Sequence, residues 1–172
     1  WAQLYFDLEP YLVKHQIDGV PLISFYHRQV AEVCQSDYRN PLLNAALAEN
    51  FKYQPLYLND ETQIPNQRKL SEMLFQQIHA GMHDQVETTL LDYYYLEAKL
   101  NGQGLQELSS DFELAQQSGL QLQKNNAIVY VAKTITLSAH ILSQDAEQLA
   151  GQLTGRLFSI EDKEIQTFIQ SL

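Results

Sequence analysis

Apolar positions along this chain keep two different rhythms. Over most of its length they recur every three or four residues, the spacing of one helix face. Only between Val13 and Tyr26 does the pattern change to short extended runs around Asp18-Gly19, a turn-forming pair, which predicts a two-stranded hairpin from Val13–Ile17 and Pro21–Tyr26. Ahead of the hairpin, Leu4, Leu8 and Leu12 share a helical face, and Pro10 stops or kinks that helix near Leu8 and Glu9. Behind it, Val30 and Val33 return to helical spacing, so strand passes to a helix over about His27 to Tyr38 with almost no loop. His27 stands at that junction, where the unpaired N–H groups of a helix start attract anions. Helix, hairpin and helix in this order form the back half of a winged helix.

The rest reads as helices. Asn40-Pro41 is a cap followed by proline, and Leu43, Ala46, Leu47 and Phe51 form the stripe of the helix it opens. Pro55 to Pro65 has two prolines and little periodicity, which predicts a loop and a subdomain boundary. Leu70, Met73, Leu74 and Ile78 mark the next helix, ended by Gly81. Asp84 with Glu87 resembles a capping box for a helix running through Val86, Leu90, Tyr94, Leu96 and Leu100 to a stop at Asn101-Gly102. Leu105, Leu108, Phe112 and Ala115 give another, closed by Ser118-Gly119. Lys124 to Ser143 is apolar on nearly every side, which predicts the central helix of a bundle. Two shorter helices follow, with Leu149, Leu153 and Leu157, then Ile165, Phe168 and Ile169. Short connections imply antiparallel neighbours, hence a mainly α chain: half a winged helix followed by an antiparallel helical-pair superhelix.

Composition narrows the partners. A formal charge of -10 over 172 residues argues against nucleic acid and anionic membranes, and the helix expected after His27 offers only Arg28 and Arg39 to a phosphate backbone. One cysteine, Cys34, forms no internal disulfide and suits a reducing, cytoplasmic setting. No apolar run reaches membrane-spanning length. The chain opens at Trp1 inside an amphipathic pattern, which reads as a segment cut from a longer protein.

Candidate chemistry is sparse. None of the seven glycines fits a phosphate loop, and Gly102-Gln103-Gly104 lacks the third glycine of a dinucleotide fingerprint. His79 and His83 stand four apart, but Gly81 between them breaks the helix that would aim both at one metal. Ser138 and His140 are neighbours on a helix that do not face each other, so His140 reads as a partly buried histidine. Gly151 and Gly155 share a face, predicting close helix packing. No catalytic or metal-binding residue is expected.

Three stretches carry a family resemblance. Tyr5-Phe6-Asp7-Leu8-Glu9-Pro10-Tyr11-Leu12-Val13 with Leu22-Ile23-Ser24-Phe25-Tyr26-His27-Arg28-Gln29-Val30 resembles the end of the winged helix in STAND-class signalling NTPases. These are the NACHT and NB-ARC proteins akin to apoptotic protease activating factor and the NOD-like receptors. Leu70-Ser71-Glu72 through Gly81, with Leu90-Leu91-Asp92 through Lys99, resembles the helical segment that follows. Leu137–Ser143 with Gln148–Leu153 and Gly155-Arg156-Leu157 resembles the linker into a WD-repeat propeller.

The resemblance implies three parts: 1–39 as the end of a winged helix, 40–143 as a helical domain, and 144–172 as a linker toward C-terminal repeats. It implies a non-catalytic regulatory segment in signal transduction. In such a protein ADP holds a closed state and ATP with magnesium opens it, while this segment itself binds no cofactor. Its partners would be the intramolecular nucleotide-binding core, the repeat domain and other proteins. Tyr26-His27-Arg28 occupies the place of the family's Met-His-Asp motif, making His27 and Arg28 the nucleotide-sensing residues of the parent. Tyr replaces Met, and Arg28 cannot accept the hydrogen bonds that the motif's carboxylate accepts. A stand-alone helical-repeat adaptor for a peptide or protein partner is the alternative.

Overall fold

Extended residues either side of Asp18-Gly19 produce the hairpin that the pattern predicts. In the computed structural model, which describes residues 7–17, 20–26, 29, 32–33, 40–59, 61–119 and 126–172, β1 (Leu12–Ile17) pairs antiparallel with β2 (Val20–Phe25), from Leu12↔Phe25 to Ile17↔Val20. A single 3-10 turn, Glu9–Tyr11, leads in, with Pro10 at its start where a missing N–H costs nothing. The Tyr26 N–H donates to the Tyr11 carbonyl at 2.8 Å and closes the open end. His27 and Arg28 lie outside the described residues, as does most of the helix expected after them.

The chain divides into two compact units, Trp1–Asn40 and Pro41–Leu172. Among the described residues, the second is helical apart from one small sheet and the connecting turns. Its elements are α1 (Pro41–Lys52), β3 (Tyr57–Asn59), β4 (Ile64–Pro65), α2 (Gln67–His79), α3 (His83–Leu90), α4 (Tyr93–Gln117), α5 (Asn126–Leu137), α6 (Ala139–Leu142), α7 (Leu149–Leu157) and α8 (Lys163–Ile169). One continuous core gathers the predicted stripes of α2, α3, α4, α7 and α8, from Leu70 and Leu74 through Leu108 and Phe112 to Leu153 and Phe168.

Several expectations are corrected. The Pro55–Pro65 stretch is not a bare loop: β3 and β4 pair across it, and the Asn59 side chain accepts from the backbone N–H of Glu61 and Thr62. It also lies inside the second unit. On α1, Ala48 and Phe51 are buried, whereas Leu43, Ala46 and Leu47 of the expected stripe are exposed. Asp84 caps nothing. Gly81, at φ +70, reverses the chain in a Schellman turn with Met82 N–H on the Gln77 carbonyl, and α3 starts at His83 directly behind it. Nor does α3 run on to Leu100. Asp92 accepts from the Tyr94 N–H at 3.0 Å and begins a new helix. That boundary is obscured in the sequence by the apolar and aromatic residues on either side of Asp92, Leu90-Leu91 and Tyr93–Tyr95.

The expected stop at Asn101-Gly102 falls two residues later. Gly102 stays helical, and a Cβ there would lie 2.7 Å from Cβ of Pro65, so only glycine lets β4 approach α4. The break is at Gly104, with φ 86° and ψ 174° inside α4, a region open essentially to glycine alone. The helix expected over 124–143 is interrupted at Ser138, and it is not central: Val129 and Leu137 are 48% and 54% exposed. Gly151 and Gly155 pack against nothing, since added Cβ atoms would meet only the Gln148 side chain at 3.9 Å and open space respectively.

Candidate functional site

The most unusual chemistry in the second unit sits where α4 turns back on itself. Tyr95 and Lys99 are one helical turn apart before Gly104, on the face that also carries Leu96. Asp111 lies after Gly104, next to Phe112 and three residues beyond Leu108. All of the apolar neighbours are buried, so folding carries a cation and a carboxylate into the core together. The Lys99 side chain is 2% exposed and that of Asp111 13%.

Every strong hydrogen-bonding group in this cluster has a partner. Lys99 Nζ donates to the Leu70 carbonyl of α2 at 2.9 Å and to Asp111, 3.1 Å from Oδ1 and 3.0 Å from Oδ2. The Tyr95 hydroxyl donates to Asp111 Oδ2 at 2.8 Å, with the Leu70 carbonyl more distant at 3.4 Å. Burial raises the Asp111 pKa, and Lys99 and Tyr95 oppose that rise. Burial and the adjoining Asp111 charge hold the Tyr95 hydroxyl protonated, well above the ordinary tyrosine value. The hydrogen bonds of the network thus close among Tyr95, Lys99, Asp111 and the Leu70 carbonyl.

Beside the cluster a groove of about 370 Å³ opens between α2 and the second half of α4, lined among others by Phe75, Glu107, Asp111 and Leu114. Phe75 stacks on His79 with ring centroids 3.9 Å apart, and His79 Nδ1 lies 2.8 Å from the Phe75 carbonyl. His79 ends α2 and His83 begins α3 across the Gly81 reversal, and among the described residues no group of three His, Cys, Asp or Glu side chains could hold a metal. Ser138 is buried at the break between α5 and α6, where its hydroxyl donates to Gln152 Oε1 at 3.1 Å. His140 is exposed, which corrects the expectation of a partly buried ring. A second buried lysine, Lys69, donates to the carbonyls of Lys52 and Gln54 and so caps the C-terminal end of α1. Its burial lowers its pKa.

Of the two predicted site residues, neither His27 nor Arg28 falls within the described residues; Tyr26, next to them in sequence, is exposed. The Lys99–Asp111–Tyr95 cluster is the feature that sequence reasoning missed. Its signal was present, since two opposite charges interrupt the apolar stripes of consecutive helical segments.

Among the described residues, no helix is long and apolar enough to cross a membrane. No family model matches the chain, and no solved structure does. Two curated proteins do: NACHT domain- and WD repeat-containing protein 1 of Mus musculus and of Homo sapiens are each 24% identical to it over 144 residues. The match takes in 66% of this chain but only 9% of either relative. The chain is thus distantly similar to a small part of proteins that carry a NACHT domain and WD repeats.

Proposed function

We propose that this chain is a regulatory, non-catalytic segment of a STAND-class NTPase, lying between a nucleotide-binding core and C-terminal WD repeats. The observation that carries the reading is the distant similarity to NACHT domain- and WD repeat-containing protein 1. The order of a hairpin followed by a helical unit supports it. In this reading the hairpin belongs to a winged helix and residues 41–172 to the arm that connects the switch to the repeats. His27 donates from a ring N–H to an ADP β-phosphate in the closed state, and Arg28 stands beside it as a second phosphate-facing group. ADP and ATP with magnesium are ligands of the parent, and the segment itself turns over neither.

A hydrogen bond to a charged partner contributes about 1.5–3 kcal/mol, which shifts a closed-to-open ratio by roughly ten- to a hundredfold. His27→Ala in the full-length parent is therefore expected to speed ADP release and raise output without the natural trigger. An unchanged ADP off-rate in a silent variant contradicts the sensor role. For the isolated chain, ATP incubation is expected to release no phosphate above buffer, because no residue pattern here positions magnesium and a γ-phosphate. Release that is lost on mutating a residue of this chain contradicts the non-catalytic reading.

A helical-repeat adaptor is the second reading, favoured by the exposed leucines of α1, where Leu43 is 61% exposed. A phosphate loop encoded upstream of Trp1 in the parent decides for the switch.

A further inference from the structure

The corner in α4 turns the chain between two helical segments through one residue. Gly104 takes φ 86° and ψ 174°, while the assigned helix runs directly up to it and directly on from it. Nothing is wedged into the corner: a Cβ built on Gly104 meets no atom within 4 Å. The contacts that hold the bend are made farther along, by Lys99 and Tyr95 on one arm and Asp111 on the other. In an uninterrupted helix residues 99 and 111 would lie about 18 Å apart along the axis. The 3.0 Å ion pair therefore exists only with α4 bent, or with the two arms contributed by different copies.

Straightening within one molecule is excluded by the core. Leu108, Phe112 and Ala115 after the corner belong to the same buried cluster as Leu70, Leu74, Tyr95 and Leu96 before it, and opening the bend alone would expose both sets. Two copies avoid that loss. If α4 straightens in each, residues 105–172 of one copy pack on residues 41–103 of the other, and every contact across the bend is remade in trans. Only the geometry at residue 104 differs between the two forms.

We propose that Gly104 is an exchange hinge through which two copies of this chain swap residues 105–172, with Lys99 of each copy paired to Asp111 of the other. Glycine at 104 favours the bent monomer twice over: it alone tolerates this backbone geometry, and it weakens a continuous helix. Gly104→Ala reverses both preferences. The bend becomes roughly tenfold less favourable per chain and the straight helix about fivefold more favourable. A dimer needs two straightened chains, so its association constant rises on the order of a thousandfold.

Light scattering on size-exclusion fractions of Gly104→Ala, over a concentration series, is expected to show a dimer at concentrations where the parent sequence is a monomer. A Gly104→Ala protein that stays monomeric throughout, folded or destabilised, overturns the proposal. A second experiment uses the ion pair as an address. Lys99→Met and Asp111→Leu chains, each with a different tag, are co-expressed. A swapped heterodimer contains one intact Lys99–Asp111 pair and one apolar Met–Leu pair, whereas either chain alone buries an unpaired charge. Heterodimer in large excess over both homodimers, with a denaturation midpoint above that of either chain alone, supports the swap. Failure of the two tags to co-purify contradicts it.

Discussion

α5 does not hold the central place that its sequence predicts, and α4 packs against more of the unit than α5 does. α5, with Ile128, Val131 and Ile135 on one side and Val129 and Leu137 on others, is the more apolar helix, yet it lies at the edge of the unit with the latter two exposed. α4 carries Lys99, Glu107 and Asp111, yet it contributes eight buried residues and packs against α2, α3, β4 and α5. Apolarity on every side states how much surface a helix could bury, not how much the neighbours provide. A helix becomes central when elements before and after it in the chain both have faces to cover. α4 then solves its charge problem internally, by bending until its own cation and carboxylate meet.

The largest effect expected from this contrast comes from separating that pair. Lys99→Ala leaves Asp111 buried without its cation and should cost about 3–5 kcal/mol in urea denaturation. Lys99→Met combined with Asp111→Leu should recover most of the loss, because similar apolar volume replaces both charges. Next, Ile135→Ala on the covered face of α5 should cost about 2–5 kcal/mol through its cavity. Val129→Ala on the outer face should change stability by about 0.5 kcal/mol or less. Equal losses at the two sites would restore α5 to the centre. Gly102→Ala should cost about 1–3 kcal/mol, because the new methyl group overlaps the Pro65 ring and β4 must move. The smallest effect has the opposite sign: Gly155→Ala, in the open and on a regular helix, should raise stability by about 0.5–1 kcal/mol.

Helix faces were legible wherever a stripe has a partner. Leu70, Met73, Leu74 and Ile78 on α2, and Leu149, Leu153 and Leu157 on α7, are buried as the three-to-four spacing predicts. Gly81 and Gly119 were legible too, since a helix end that takes positive φ favours glycine. Boundaries marked by one polar residue between apolar or aromatic ones were not. Leu90-Leu91 runs straight into Tyr93–Tyr95, and only the Asp92 cap separates α3 from α4. Exposure was not legible either, because Leu43 and Leu47 of α1 keep the same rhythm as the buried stripes. The α4 cluster escaped because its members lie 12 and 16 residues apart, a separation that no helical period connects and that only the bend at Gly104 closes. Tyr95 enters that cluster while the adjacent Tyr94 faces solvent, although the two are interchangeable in composition.

Native-state hydrogen exchange tests the central place of α4 most directly. Amides of Leu96, Leu100, Leu108 and Phe112 should exchange only with global unfolding of the second unit, in step with its measured stability. Amides in the outer half of α5, around Val129 and Lys133, should open at a lower free energy. Should the α5 amides outlast those of α4, the bent helix and its buried ion pair are not the centre of this fold.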